Sequence, residues 1–312
     1  METHRLLIYH RDAKIYEGII RKAVPEIDLC ATTSPEEAFP FVEEAEIIFA
    51  STRIPGEVLQ KARRLRWFAS TFAGNESLVR NPLLPESAIL TKTTVYGGMM
   101  AEYVYTYLLS SIRNVSRHQD DQKRKVWSPV RPGLLRGKTM GILGLGSVGK
   151  VIAERGKQFG MTVLGVKRTP GPVENVDEIF GPEELKRMVP QVDYLVAVLP
   201  LTPDTHHFLK EPELQMLKDE AIFFNIGRGQ TIDEEALIRV LKTKRIRAVL
   251  DVFEVEPLPP ESELWGLENV VITPHVSGIS LPEEVGGEFI ANFERWVKGE
   301  PLLAVVDRKK GY

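Results

Sequence analysis

The sequence predicts an α/β protein built from two doubly wound parallel sheets, and three observations carry that expectation. Short apolar runs alternate with helix-length amphipathic stretches along most of the 312 residues. A long helical pattern that begins near Gly98 separates one alternating series from a second. Within the second series, Gly144-Leu145-Gly146-Ser147-Val148-Gly149 stands directly between an apolar run and a helical pattern.

Residues 1–10 hold one short apolar run and then turn polar, which reads as a first strand and as neither a leader nor a membrane span. Residues 6–9, 47–50 and 67–70 read as buried strands separated by polar or amphipathic stretches. The lone Cys30 cannot form an intramolecular disulfide, and the setting Ile27-Asp28-Leu29-Cys30-Ala31 reads as that of a buried, inert thiol in a reducing, cytoplasmic compartment. The helical pattern from Gly98 runs through Met99, Tyr103, Tyr107, Leu108 and Ile112 towards Lys125, and is broken by Pro129 and Pro132-Gly133. Trp127, near its end, reads as a packing residue, with contact to a partner subunit's pocket as the second option.

The second series places strands at 140–143, 163–166, 194–198, 221–225, 248–251 and 270–272, six in all, the usual number for a Rossmann-type sheet. A last helix over about 281–298 carries Val285, Phe289, Phe293 and Trp296 at helical spacing, stops at Gly299, and is expected to pack back on the first domain. Lys and Arg number 40 against 43 Asp and Glu, a net charge of −3, with no long run of one sign. Nucleic acid is therefore not an expected partner. His206 and His207 are adjacent and lack accompanying Cys or Asp at ligand spacing, so they read as surface residues and no metal is expected.

The chemistry concentrates after the strands of the second series. In the glycine run, Gly144 permits a tight turn, Gly146 lets backbone approach a pyrophosphate, and Gly149 allows close helix-to-strand packing, with Ser147 and Val148 opening a helix whose N-terminus faces the phosphates. Three glycines in an ordinary strand-to-helix turn are the alternative. At the end of the next strand, where an acid would accept hydrogen bonds from a ribose, the sequence reads Val166-Lys167-Arg168-Thr169, and no acid follows until Glu174. Two cations suit a 2′-phosphate, especially through the planar fork of Arg168, so NADP(H) is the expected cofactor and NAD(H) remains possible. A solvated turn is the other reading of this pair.

Three further segments each follow an apolar strand: Asn225-Ile226-Gly227-Arg228-Gly229, Asp251 through Pro257, and Thr273-Pro274-His275-Val276-Ser277-Gly278. Residues beyond the carboxyl ends of strands line the ligand crevice of such sheets, so Arg, Glu and His could converge there. A keto-acid reductase needs that set. Arg grips a carboxylate and polarises a carbonyl, His⁺ donates a proton, and Glu holds His protonated. Taken singly, each has a duller reading: a turn histidine, a solvent-facing Glu256, a structural ion pair at Arg228.

Taken together, these segments resemble the D-isomer-specific 2-hydroxyacid dehydrogenase family, whose pattern places Arg in N-x-G-R-G, Glu in D-V-F-x-x-E-P and His in T-P-H. The resemblance extends from Ala73-Gly74 through Met100-Ala101-Glu102-Tyr103 and Leu199-Pro200-Leu201-Thr202 to Gly299-Glu300-Pro301-Leu302. It implies that Arg228 clamps the substrate, His275 is the acid/base, Glu256 is its partner and Asp251 orients the nicotinamide carboxamide. It also implies that Leu199, Pro200, Thr205, Ile226 and Gly227 line the cofactor alongside Arg228, Asp251 and His275. Backbone N–H groups of Ala73, Gly74 and Asn75 would hold the substrate carboxylate, with Tyr96, Gly97 and Met100 near the pocket. The stretch from Tyr96 to Met99 and Asn75 depart from the commoner family pattern, which leaves the substrate open among small 2-keto acids. The Lys167-Arg168 pair resembles the NADPH-linked glyoxylate and hydroxypyruvate reductase branch. Family architecture implies a dinucleotide-binding domain, 97–277, inserted in a substrate domain made of 1–96 and 278–312, with the helix after Gly98 at the hinge and in a homodimer interface. A dinucleotide-sensing scaffold, similar to the corepressors that share this fold, is the alternative, and turnover of a keto acid separates the two.

Overall fold

The computed structural model describes residues 4–169 and 171–312, so residues 1–3 of the first expected strand segment lie outside the described residues. The chain divides into two units, Met1–Val95 with Ser280–Tyr312, and Tyr96–Ile279.

In the first unit, strands β1 (Arg5–Tyr9), β2 (Asp28–Thr32), β3 (Ile47–Ala50), β4 (Trp67–Ser70) and β5 (Ile89–Thr91) form one parallel sheet in the order β2-β1-β3-β4-β5. The three central strands are the continuous apolar runs that a sheet covered on both faces requires. The two edge strands carry weaker signals: β2 mixes Asp28, Cys30 and Thr32 among its apolar residues, and β5 is three residues long. Cys30 consequently lies on an edge strand and is only partly buried, against the expectation of a core thiol, although burial still raises its pKa.

The C-terminal helix Pro282–Val297 belongs to this unit and buries Val285, Phe289 and Phe293 against it. Phe289 stacks on Trp67 with ring centroids 5.2 Å apart and tilts against Phe49 at 4.6 Å, while the Trp67 indole N–H donates to Thr91 Oγ1 at 2.9 Å. Glu288 receives the Thr94 N–H at 2.9 Å and the hydroxyls of Thr93 and Thr94, closing the chain after β5.

In the second unit, β6 (Thr139–Leu143), β7 (Thr162–Val166), β8 (Glu178–Phe180), β9 (Tyr194–Ala197), β10 (Ile222–Asn225), β11 (Arg247–Leu250) and β12 (Val270–Ile272) form a parallel sheet in the order β12-β11-β10-β9-β6-β7-β8. Among the described residues the strands number seven, not six. The extra one, β8, is a three-residue edge strand with one buried residue, Phe180, too short for a periodicity signal. The order reverses at β6, which pairs with β7 on one side and β9 on the other, so a ligand crevice is expected beyond its carboxyl end.

The helical pattern after Gly98 is two helices, Gly97–Ile112 and Val115–Arg124, rather than one. Asn114 separates them in the left-handed region at φ 55°, a conformation Asn tolerates better than most residues. Trp127 is 96% exposed, so within the single chain it packs against nothing, contrary to the expectation. Among the described residues no helix is long and apolar enough to cross a membrane.

Candidate active site

The glycine turn follows from packing at the end of β6. Gly144 sits at φ 103° with its α-carbon facing the Val198 carbonyl, where an added Cβ would lie 2.9 Å from the oxygen. Gly149 is more tightly held still, since a Cβ there would lie 2.0 Å from the Gly144 carbonyl oxygen. Gly146, by contrast, faces open space and begins the helix Ser147–Gln158, whose first turn no described side chain caps. Bare N–H groups beside an unobstructed backbone fit a dinucleotide pyrophosphate.

Lys167 and Arg168 leave the sheet after β7, where the Lys167 N–H still pairs with the Phe180 carbonyl at 3.1 Å. Arg168 and Thr169 are exposed. Arg168 Nη2 meets Asp204 Oδ2 at 2.6 Å, an acid that the linear sequence does not place near the ribose end. Leu199 and Pro200 are half-buried in the segment after β9, and Thr205 Oγ1 closes that segment by donating to Pro200 O at 2.6 Å and accepting from Thr202 N–H at 2.8 Å.

Arg228, Asp251, Glu256 and His275 come from the segments after β10, β11 and β12, which are consecutive neighbours in the sheet. Ile226 is buried and extends β10 by donating to Ala197 O at 3.1 Å, and Gly227 presses on the backbone of Leu199. Arg228 Nη1 donates to Gly227 O at 2.8 Å. Gly229 fits the Arg228 and Glu256 segments together, since a Cβ there would lie 1.9 Å from the Phe253 carbonyl.

His275 Nδ1 and Glu256 Oε2 are 2.7 Å apart, and Glu256 Oε1 accepts the Phe253 N–H at 3.1 Å. The hydrogen bond that His275 Nδ1 donates to the Glu256 carboxylate holds the His275 pKa above its ordinary value, against partial burial and the nearby positive charge of Arg228. Burial pushes the Glu256 carboxyl up, but the hydrogen bonds from His275 and Phe253 outweigh it and the net direction is down. The pair therefore favours imidazolium facing carboxylate, leaving Nε2 as the ring nitrogen free of Glu256. Glu256→Gln removes the main cause of the elevation. If His275 must be protonated for reduction, the alkaline fall of the rate moves to lower pH in that variant, and a pH profile of kcat/KM superimposing on the wild type's would sever the link.

His275 itself is in the left-handed region at φ 55°. Asp251 holds it there. Its backbone carbonyl accepts the His275 N–H at 2.9 Å, and its fully buried carboxylate accepts Thr273 Oγ1 at 2.5 Å and the N–H groups of Val276 and Ser277 at 2.8 Å each. Thr273 Oγ1 also meets Tyr103 Oη at 2.5 Å, tying this loop to the helix Gly97–Ile112. Burial drives the Tyr103 phenol well above its ordinary pKa, so it stays neutral. Tyr96 and Met100 lie against Gly278 just after the loop, while Gly97 serves helix packing, where a Cβ would lie 2.7 Å from Val151 Cγ2.

Ala73, Gly74 and Asn75 lie in the first unit, after β4. Asn75 is 4% exposed, and its amide donates to Phe72 O at 3.0 Å and Ala73 O at 3.3 Å, bracing that turn. His207 is not a simple surface residue: its Nε2 lies 2.8 Å from Glu254 Oε1, two positions before Glu256, and its N–H donates to Gln230 O at 2.8 Å. Sequence reasoning passed over this link because 207, 230 and 254 share no linear pattern. No cluster of three metal-ligating side chains occurs among the described residues.

A profile described as D-isomer specific 2-hydroxyacid dehydrogenase, NAD binding domain, matches residues 105–277. Glyoxylate/hydroxypyruvate reductase A of Yersinia enterocolitica is 32% identical over 266 residues, which are 83% of this chain and 85% of that protein. The crystal structure of a D-isomer specific 2-hydroxyacid dehydrogenase family protein from Aeromonas salmonicida superposes with a TM-score of 0.90 at 37% identity, covering 98% of this chain and all of that one. A D-isomer specific 2-hydroxyacid dehydrogenase from Xanthobacter autotrophicus, crystallised with NADPH and MES, gives 0.88 at 30% identity over 99% of this chain and 100% of that one. The glycine turn, the His275–Glu256 pair and these likenesses agree, and the chain belongs to the D-isomer specific 2-hydroxyacid dehydrogenase family.

Proposed function

We propose that the protein reduces a small 2-keto acid, such as glyoxylate or hydroxypyruvate, to the corresponding 2-hydroxy acid with NADPH, giving the D-isomer where the product is chiral. The observation that carries this reading is the 2.7 Å contact between His275 Nδ1 and Glu256, with the His275 pKa raised by it. Bound NADPH supplies the hydride. His275 donates a proton from Nε2 to the carbonyl oxygen as charge develops there, and Glu256 stabilises the imidazolium before transfer. Arg228, whose charge bears on both His275 and Glu256, binds the substrate carboxylate and polarises the carbonyl. In the reverse direction His275 takes the hydroxyl proton. The Yersinia enterocolitica relative's name supports the substrate class, and the NADPH bound to the Xanthobacter autotrophicus structure supports the cofactor. The scaffold alternative finds no support in these relatives, which are named as reductase or dehydrogenase. Assembly as a homodimer and a cytoplasmic setting belong to the same reading, the former consistent with the exposure of Trp127 and Leu134.

The test is NADPH oxidation at 340 nm with glyoxylate, hydroxypyruvate, pyruvate and phenylpyruvate, repeated with NADH. Cofactor choice rests on Lys167 and Arg168. A charge-assisted hydrogen bond contributes about 1.5–3 kcal/mol, a preference of roughly ten- to hundred-fold, and the exposure of Arg168 places the expectation at the lower end. Replacing Lys167 by Asp together with Arg168→Ala is expected to abolish the preference while NADH use holds or improves. Equal kcat/KM for both cofactors in the wild type would remove the NADPH assignment, and turnover of none of the four keto acids would remove the substrate class.

A further inference from the structure

Arg168 follows β7 and Asp204 follows β9, two strands that do not touch. Between them runs β6, whose last residue pairs as Leu143↔Val166 on one side and Leu143↔Ala197 on the other. Their side chains nonetheless meet at 2.6 Å, so the ion pair crosses the carboxyl end of β6, where the glycine turn begins. Asp204 is presented by a fixed turn. The Thr205 hydroxyl bonds to Pro200 O and Thr202 N, and the Thr205 N–H donates to Thr202 O at 3.1 Å. Both side chains reach solvent, Arg168 at 40% and Asp204 at 73% exposure, so the pair can open at little cost.

We propose that Asp204 is a specificity-determining residue for the cofactor: it holds Arg168 in an ion pair that a 2′-phosphate must displace, and it thereby lowers affinity for NADP(H) selectively. The inference rests on the reading of Lys167 and Arg168 as a phosphate site. A 2′-phosphate brings nearly two negative charges to a guanidinium already paired with a carboxylate. It must therefore break that pair and sit close to the Asp204 charge. NADH, with hydroxyls at the same ribose, neither competes for Arg168 nor meets that repulsion. Solvent screening keeps the effect to a few-fold.

Asp204→Asn keeps the shape of the side chain and removes its charge. By titration of nucleotide fluorescence at low salt, NADPH is expected to bind roughly three- to ten-fold more tightly to D204N than to the wild type, with NADH affinity little changed. Raising the salt concentration narrows the difference between the two proteins. In an Arg168→Ala background the same substitution has a smaller selective effect, because the competition for Arg168 is gone and only the repulsion between Asp204 and the 2′-phosphate remains to be removed. Equal wild-type affinity for NADPH and NADH overturns the phosphate reading itself. A wild type that prefers NADPH, combined with a D204N variant that binds NADPH no better or more weakly, overturns the role of Asp204 alone and makes it neutral or a support for Arg168.

Discussion

His275→Ala is expected to lower kcat/KM for keto-acid reduction by about 10²–10⁴, the range a positioned general acid contributes. The expectation follows from how the ring is held. Nδ1 is committed to Glu256 at 2.7 Å, the pKa is raised by that contact, and the backbone at His275 is fixed in the left-handed region by Asp251. Alanine removes the proton donor without touching the glycine turn or Lys167 and Arg168, so NADPH affinity is expected to move little by comparison. Steady-state kinetics with the best keto acid, paired with an NADPH titration on the same sample, separates the two effects. Full turnover in the variant would take His275 out of the mechanism. Loss of NADPH binding as large as the loss of turnover would instead make His275 chiefly a cofactor contact.

Parallel sheets buried on both faces write their central strands as unbroken apolar runs, and β1, β3, β4, β6, β7, β9 and β10 are of that kind. The fold class was legible from them. Of the four edge strands only β12, expected at 270–272, was legible as well. β2, β5 and β8 each have an exposed residue at their start and two are only three residues long, so tertiary pairing rather than local pattern defines them. The break at Asn114 was hidden because helix-compatible residues continue across it, although Val115 is the one apolar residue of Val115–Arg124, and a single left-handed residue leaves no trace in a sequence pattern.

The contact between Glu256 and His275 has a linear signature because both residues sit in short segments directly after adjacent strands, so strand order alone brings them near. Asp204 and His207 have none. Each acts across strands that are not neighbours in sequence, Asp204 on Arg168 over the end of β6 and His207 on Glu254 beside the turn that carries Glu256. Such pairs arise from sheet order, and only a sequence reading that had already fixed the order β9-β6-β7 could have found Asp204. Trp127 shows the opposite failure. A large aromatic near the end of a helical pattern suggests packing, yet its side chain is 96% exposed because the chain after Arg124 leaves the helix.

Asp251→Asn is expected to lower both stability and turnover, since the resemblance gives Asp251 a place against the nicotinamide carboxamide while its hydrogen bonds give it another task. The carboxylate is fully buried and already accepts three donors from one loop: Thr273 Oγ1 and Val276 N–H on Oδ1, and Ser277 N–H on Oδ2. An amide of the same size offers one acceptor oxygen and one NH₂. Oriented either way, it turns a donor towards a buried N–H, leaving Ser277 or Val276 unpaired at a cost of about 1–3 kcal/mol, and the remaining hydrogen bonds lose their charge. For a protein of this size that corresponds to a drop in Tm of roughly 2–4 °C per kcal/mol. Displacement of the 273–277 loop carries His275 away from Glu256, so kcat is expected to fall along with Tm. Thermal unfolding and full kinetics in both NADPH and keto acid distinguish the two tasks. A normal Tm with an NADPH KM raised on its own would assign Asp251 to the cofactor, whereas a lowered Tm with kcat reduced at saturating NADPH assigns it to holding the loop that presents His275.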